Sequence, residues 1–499
     1  MARINFEQKL YQLVISRLDG ARISSSTYQE SILELVQKGV GGFIVFGGEK
    51  EEVRGFINKL QSAAGIPLFI ASDIERGVGQ QLTGTTSFPP QMAVASAINK
   101  NNNDDLQTLK DTVKAITDEA ADIGINMPFI PVLDVNNNPD NPIICTRAFS
   151  DRPEEVVWYG NIYIKVIEES GLISCAKHFP GHGDTSVDSH MALPVISKSR
   201  QEMMDTDILP FKKAIETGTS SIMMGHLSIP ALDSVPASLS ENVITGILRG
   251  ELGFEGLILT DALNMDALKE IGGVPVKCLN AGVDIILHPA DADKVVDELK
   301  AAVDSGELDE SRIDIAVERI LKYKSKINNI KKSEINHDRN HELSELLSTK
   351  SIALVKDSDG IVPLKNFDDF KLIFTADEKE HDLLPLKNIM PEPVLAKDCI
   401  IEEIKQPVII SLFTTIAAWR GSSGIDHEEI EAIKKIISKA DKSIVISFGS
   451  PYLLRHFKEA DMLIAAYDSS SLAQLSVIKC LKGEEDFMGK LPVDTGSRL

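Results

Sequence analysis

From the N-terminus to about residue 325, short apolar runs alternate with amphipathic stretches. The runs LVISRL (13–18), GFIVFG (42–47), LFIASD (68–73), INMPFIPVLDV (125–135), ISCAKHF (173–179), SSIMMGH (220–226), GLILTD (256–261) and VDIILH (283–288) read as eight strands, each almost continuously apolar. Between them, residues 50–64, 106–123, 153–170 and 201–218 place apolar side chains three and four apart, the period of a helix with one buried face. Strands apolar on both faces and separated by helices predict a parallel sheet covered by helices. Eight such units in about 300 residues predict a (β/α)8 TIM-type barrel, with an open doubly wound sheet as the competing arrangement.

Residues 326–345 are polar, rich in Lys, Asn and His, and nearly aperiodic, which predicts a linker. The strand pattern restarts with SIALVK (351–356), KLIFTA (371–376), PVIISLF (407–413), KSIVISFG (442–449) and MLIAAY (462–467), with helical stretches such as 427–440 between the last three. The expected organisation is α/β throughout: a catalytic barrel over 1–325, the linker, and a smaller α/β (αβα) sandwich over 346–499. Neither part has a G-x-G-x-x-G or a Walker A pattern after a strand, so no cofactor is expected.

Charge narrows the partners. The 499 residues include 52 basic and 74 acidic side chains, a net charge of −22. A surface this acidic repels phosphate backbones and anionic lipid, so neither nucleic acid nor membrane is an expected partner. No window approaches the roughly 18 apolar residues of a membrane span, and the first twenty residues lack the pattern of a signal peptide. The five cysteines are scattered, without a CxxC pair, which fits a reducing compartment and argues against a disulfide framework or a thiolate zinc site. A cytoplasmic enzyme acting on a small molecule is the expectation.

Polar residues gather where the barrel strands end, the face on which active sites of this fold are built. Asp73 closes the third run, Asp134 the fourth, Lys177 and His178 the fifth, His226 the sixth, Asp261 the seventh and His288 the eighth. The densest group is KHFPGHGDTSVDSH (177–190), whose Pro and Gly residues place it on a loop after Phe179. Metal binding by His178, His182, Asp184 and His190 is one reading, although Pro-Gly breaks the helix that an HxxxH pair needs. A loop whose side chains only satisfy backbone groups is another. The third is acid–base chemistry, in which Asp188 orients His190, fixes its tautomer and leaves the second ring nitrogen to exchange a proton near neutral pH. Asp261 fits a nucleophile, a metal ligand or a helix cap. Asp73 and Arg147 have the chemistry to bind hydroxyls, and an ordinary salt bridge is the alternative for Arg147.

These residues carry a resemblance. KHFPGHGDTSVDSH closely resembles the signature loop of glycoside hydrolase family 3, in its β-N-acetylglucosaminidase branch. SDIERGVGQQL, GTTSFPP, GINMPFIPVLDVNNNPDNPIICTRAFS, IMMGHLSIPALDSVPASLS and LILTDALNMDAL follow in the family's order, and GKLPV (489–493) and SFGSPY (447–452) resemble the sandwich of two-domain members. The resemblance implies that Asp261 is the nucleophile, that His190 is the acid/base with Asp188 as its partner, and that Asp73, Arg147, Lys177, His178 and His226 hold a terminal N-acetylglucosamine. It implies a retaining, exo-acting hydrolase of muropeptides or other terminal GlcNAc, with phosphorolysis as the alternative reaction and a silent sugar-binding protein as the alternative class. Two positions depart from the family pattern: Arg76 replaces a glycine, and Gln81 stands where an arginine is expected. With two tryptophans in the chain, a pocket for one terminal sugar fits better than a long polymer cleft.

Overall fold

The computed structural model describes residues 4–186, 193–327, 330, 333–358, 360–376, 381–416 and 424–496, apart from the side chains of Asp266 and Ala376. The chain forms two compact units. The first comprises Met1–Ser87, Lys110–Val135 and Pro153–Asn340, and the second Phe88–Leu109, Asn136–Arg152 and His341–Leu499.

In the first unit the strands are β1 (Val14–Asp19), β2 (Gly42–Phe46), β3 (Phe69–Ser72), β4 (Met127–Pro128), β5 (Cys175–Phe179), β6 (Ser221–Met224), β7 (Leu257–Thr260) and β8 (Ile286–Leu287). All pair in parallel, in the orders β4-β3-β2-β1-β8 and β5-β6-β7. Single bridges join the two sheets, Val132 to Lys177 and Leu259 to Ile285, so the strands run in sequence round a closed barrel. Closure removes both sheet edges and brings the eight carboxyl ends to one mouth. Every predicted barrel run contains a strand. The fourth is much shorter than the run suggests, because Pro128 and Pro131 cannot donate to a ladder.

The covering helices follow the apolar period. Helix Lys50–Ala63 buries Val53, Phe56, Ile57 and Leu60, and Glu49 caps it by accepting from the amides of Glu51 and Glu52 at 2.8 and 3.1 Å. The stretch predicted as one helix over 201–218 is interrupted. A short turn (Arg200–Glu202) runs into a π-helical turn (Met203–Asp207), and an α-helix restarts over Leu209–Thr217 with Pro210 in its first turn. Proline has no amide to continue the ladder, but it suits the start of a new helix.

The barrel floor, where the strands begin, holds buried polar and charged groups bonded mainly to one another, although Arg312 Nη1 has no hydrogen-bond partner among the described residues. Asp284, fully buried before β8, accepts from Arg249 at 2.7 Å, Arg312 at 3.1 Å and Arg319 at 3.0 Å. Glu168 accepts from the amide and hydroxyl of Ser174 and of Ser220, tying the starts of β5 and β6 to helix Pro153–Glu169. Lys324 is buried, donates to Gln12 Oε1 at 2.8 Å and lies 5.0 Å from the Phe69 ring centre.

The second unit is a six-stranded sheet ordered β11-β10-β12-β13-β14-β9: β9 (Ala353–Asp357), β10 (Lys371–Ala376), β11 (Val394–Leu395), β12 (Val408–Phe413), β13 (Ser443–Phe448) and β14 (Met462–Ala465). Only β9 is antiparallel, at an edge. Helix His427–Lys439 buries Ile430, Ile433, Ile436 and Ile437 against one face, and helix Ser471–Lys482 packs Val477 and Leu481 against the other. Two segments read from sequence as barrel, 88–109 and 136–152, group with this unit, where Met92, Ala93 and Cys145 join its core. Helix His337–Ser351 begins inside the stretch read as linker. Asn340, Ser344 and Ser348 make up much of its buried face, so hydrophobic periodicity does not reveal it.

Candidate active site

The first constellation at the mouth is built from β3 and β5. Lys177, inside β5, is 1% exposed, and its Nζ donates to Asp73 Oδ1 at 2.6 Å and Glu75 Oε1 at 2.7 Å. An ammonium buried this completely stays charged only when paired and hydrogen-bonded, which the two carboxylates provide. Glu75 is buried, whereas Asp73 keeps a third of its side chain exposed, so Asp73 is the member that faces outward. Gln81 reinforces this edge: its Nε2 donates to the Asp73 carbonyl at 3.1 Å, and its Oε1 accepts from the Gly47 amide at 3.4 Å. The side chain that replaces an expected arginine thus joins the loops after β2 and β3.

The second constellation centres on Asp134, which is fully buried. Its Oδ2 lies 2.7 Å from His178 Nδ1, and its Oδ1 accepts from the amides of His178 at 3.2 Å and His182 at 2.7 Å. Burial alone would raise this carboxyl, but His178 and His182 outweigh it and hold it below its usual value. The carboxylate fixes the His178 ring and pins the start of the loop after β5. His182 Nδ1 lies 2.9 Å from Thr185 Oγ1. Burial, then the neighbouring His178, lowers His182 to about 4, so it is neutral at pH 7.

The third is at β7 and β8. Asp261 directly follows β7; its amide donates to the Met224 carbonyl at 2.9 Å, and its Oδ1 accepts from the Ala262 amide at 2.8 Å. The backbone thereby aims a partly exposed carboxylate across the mouth. His288, just after β8, has φ +45° and packs against Phe46 with ring centres 5.5 Å apart. Burial and then Arg17 lower it to about 4, against the opposing fields of Asp73 and Asp261. Arg17 lies over the other partner of that stack, 4.8 Å from the Phe46 ring centre.

The structure therefore brings Asp73, Lys177, His178 and Asp261 to the strand-end face of one barrel. His226 follows β6 there, with Nδ1 2.8 Å from Ser238 Oγ. Arg147 belongs to the second unit, where it ends the turn Cys145–Arg147 and donates to the Ile143 carbonyl at 3.1 Å. Asp188 and His190 lie outside the described residues. Sequence reasoning placed Asp134 at a strand end without seeing that it organises two histidines. It passed over Arg17, whose signal is a lone cation near the end of an apolar strand. Among the described residues, no group of three or more His, Cys, Asp or Glu is placed to hold a metal ion.

Comparison with known proteins fits this arrangement. The family model described as the glycosyl hydrolase family 3 N-terminal domain matches residues 5–323. A β-hexosaminidase A of Pseudoalteromonas piscicida is 33% identical over 387 residues, 69% of this chain and 64% of that protein. A β-N-acetylglucosaminidase/β-glucosidase of Cellulomonas fimi is 25% identical over 91% of this chain and 88% of its own. The solved structure of a family 3 β-N-acetylglucosaminidase from Paenibacillus sp. str. FPU-7 superposes with a TM-score of 0.85 at 29% identity, covering 99% of both chains. With its barrel matched along nearly its whole length and its strand-end carboxylates in place, this chain belongs to glycoside hydrolase family 3.

Proposed function

We propose that the protein is an exo-acting, retaining β-N-acetylglucosaminidase that removes terminal β-linked GlcNAc. The observation that carries this reading is that Asp261 at the end of β7 shares the strand-end face of the barrel with the Lys177–Asp73–Glu75 network of β3 and β5. Asp261 attacks the anomeric carbon while His190 gives its proton to the departing glycosidic oxygen. The bond to that oxygen breaks as the Asp261 ester forms. His190 then takes a proton from water, whose oxygen displaces Asp261 and restores the configuration. Asp188 orients His190. Asp73, held by Lys177 and Gln81, accepts sugar hydroxyls, and His178, oriented by Asp134, donates to them. His226 completes the binding residues that the barrel supplies; Arg147, which the family resemblance assigns to sugar binding, lies in the second unit. Activity on cell-wall fragments in a reducing, cytoplasmic setting extends this reading, supported by five unpaired cysteines.

The test is turnover of aryl β-GlcNAc, β-glucoside and β-xyloside, with product analysis with and without millimolar phosphate. Preference for β-GlcNAc with free GlcNAc as product is expected. GlcNAc 1-phosphate as the dominant product makes the enzyme a phosphorylase, and no turnover of any glycoside leaves only a sugar-binding protein.

A further inference from the structure

Outside the residues assigned to sugar or to bond cleavage, one buried ion pair adjoins the loop after β5. Asp207 ends the π-helical turn Met203–Asp207 and is fully buried. Its Oδ2 accepts from Lys198 Nζ at 2.8 Å and from Thr206 Oγ1 at 2.8 Å, whereas its Oδ1 has no protein partner among the described residues. A buried carboxylate with one oxygen unsatisfied destabilises the fold, and π turns recur where a side chain is aimed for a purpose. Gly181 passes directly over it. A Cβ there would lie 2.6 Å from Asp207 Cβ, and φ is +126°, so only glycine lets the loop approach this closely.

Lys198 also lies 3.5 Å from Asp184. Asp184 precedes Asp188 by four residues, and Lys198 follows His190 by eight. One ammonium therefore joins the outgoing limb, the returning limb and the helical layer of the barrel. Each limb has a further anchor. The outgoing one is pinned by the His182 amide on Asp134, and the returning one pairs with the segment after β6 through the Ile196 amide to the Ser228 carbonyl at 2.9 Å. Lys198 is thus one side chain that ties the two limbs to each other.

We infer that Lys198, seated on Asp207, is a positioning residue for catalysis: it fixes the two chain ends between which Asp188 and His190 are carried. The inference rests on the assignment of His190 as acid/base. It predicts a loss confined to the step in which that histidine acts. Lys198→Met is expected to lower kcat about tenfold or more on a β-linked GlcNAc disaccharide, a poor leaving group that needs protonation. KM should change little, and turnover of an activated nitrophenyl glycoside should fall less than about threefold, since that leaving group departs without full protonation. Lys198→Arg, which keeps the charge, should recover most of the disaccharide rate. In a His190→Ala background Lys198→Met should cost less than about twofold further, because coupled residues are not additive. Equal loss on both substrates, or an undiminished loss in the His190→Ala background, overturns the clamp. If His190→Ala itself slows both substrates equally, the acid/base reading falls and takes the inference with it. Should Lys198→Met fail to fold, Asp184→Asn, which removes the more exposed contact, must show the same leaving-group dependence in milder form; its absence also overturns the proposal.

Discussion

At the floor of the barrel Asp284 meets three guanidiniums, and Glu168 accepts from two amides and two hydroxyls. At the mouth Asp134 and Glu75 are buried, but two carboxylates are partly open: Asp73 keeps a third of its side chain exposed, and Asp261 is half-buried. The floor charges are closed in by one another, whereas Asp73 and Asp261 keep part of their surface open at the mouth. Burial also acts differently on different cations. Burial, together with Arg319 and Arg312 and against the pull of Asp284, lowers Arg249 only to about 10, so it stays charged at pH 7. His182 and His288 are lowered to about 4 and become neutral. A guanidinium keeps its proton through desolvation that an imidazole does not survive. Burial of charge by itself therefore does not mark a site; partly exposed charge at the strand-end face does.

The largest effect separating the two ends is expected from Asp261→Asn. Turnover of an aryl β-GlcNAc should fall at least about 10³-fold, roughly 4 kcal/mol of transition-state stabilisation, with the melting temperature near that of the parent. Retained turnover would remove Asp261 from the chemistry. The mirror experiment is Asp284→Ala. Removing the carboxylate strands three arginines and should cost about 3–5 kcal/mol in urea unfolding, while kcat per folded molecule is unchanged. A selective loss of kcat would mean that the floor takes part in catalysis.

Acid should weaken the mouth before the floor. His182 and His288 bind protons near pH 4 when folded and near 6.5 when unfolded. Between those values the unfolded chain holds more protons, so stability is complete above about pH 6.5 and falls as the pH drops toward 4. The loss should be on the order of 3 kcal/mol for the pair after solvent screening, and His288→Gln should flatten part of it. An unfolding free energy that stays level from pH 7 to 4.5 contradicts the assignment of neutral histidines.

The smallest effect concerns Lys324, whose amine burial holds well below its usual value. The unfolded chain binds this proton more readily, so the native protein gains stability as the pH rises toward that of a free lysine. Relative to Lys324→Met, the parent should gain stability between pH 7 and 9.5. A pH-independent difference would show the amine charged when folded, held by Gln12 and the Phe69 ring.

Much of this was legible without coordinates. All eight barrel runs and all five sandwich runs contain strands, because an apolar run of that length has few other ways to be buried. The positions of Asp73, Lys177, His178 and Asp261 followed from a single rule about strand ends. Elements whose buried face is polar were not legible. The helix His337–Ser351 hides behind Asn and Ser, and β11, two residues long, is too short to show a period. The break over Met203–Asp207 was written in Pro210, yet the orphaned Asp207 was not, since partnering depends on which layer a helix faces.

The sequence by itself determined the alternation of strand and helix, the separate sandwich and the residue types placed at strand ends, because these depend on local period and chain order. Tertiary structure decided which of those residues meet. Lys177 finds Asp73 across 104 residues, and Arg319 finds Asp284 across 35. It also decided that segments 88–109 and 136–152 join the C-terminal unit, and that Lys198 spans two limbs of one loop. Pairing energies act through space, and neither spacing nor composition encodes which buried charge will lie within hydrogen-bonding distance of another.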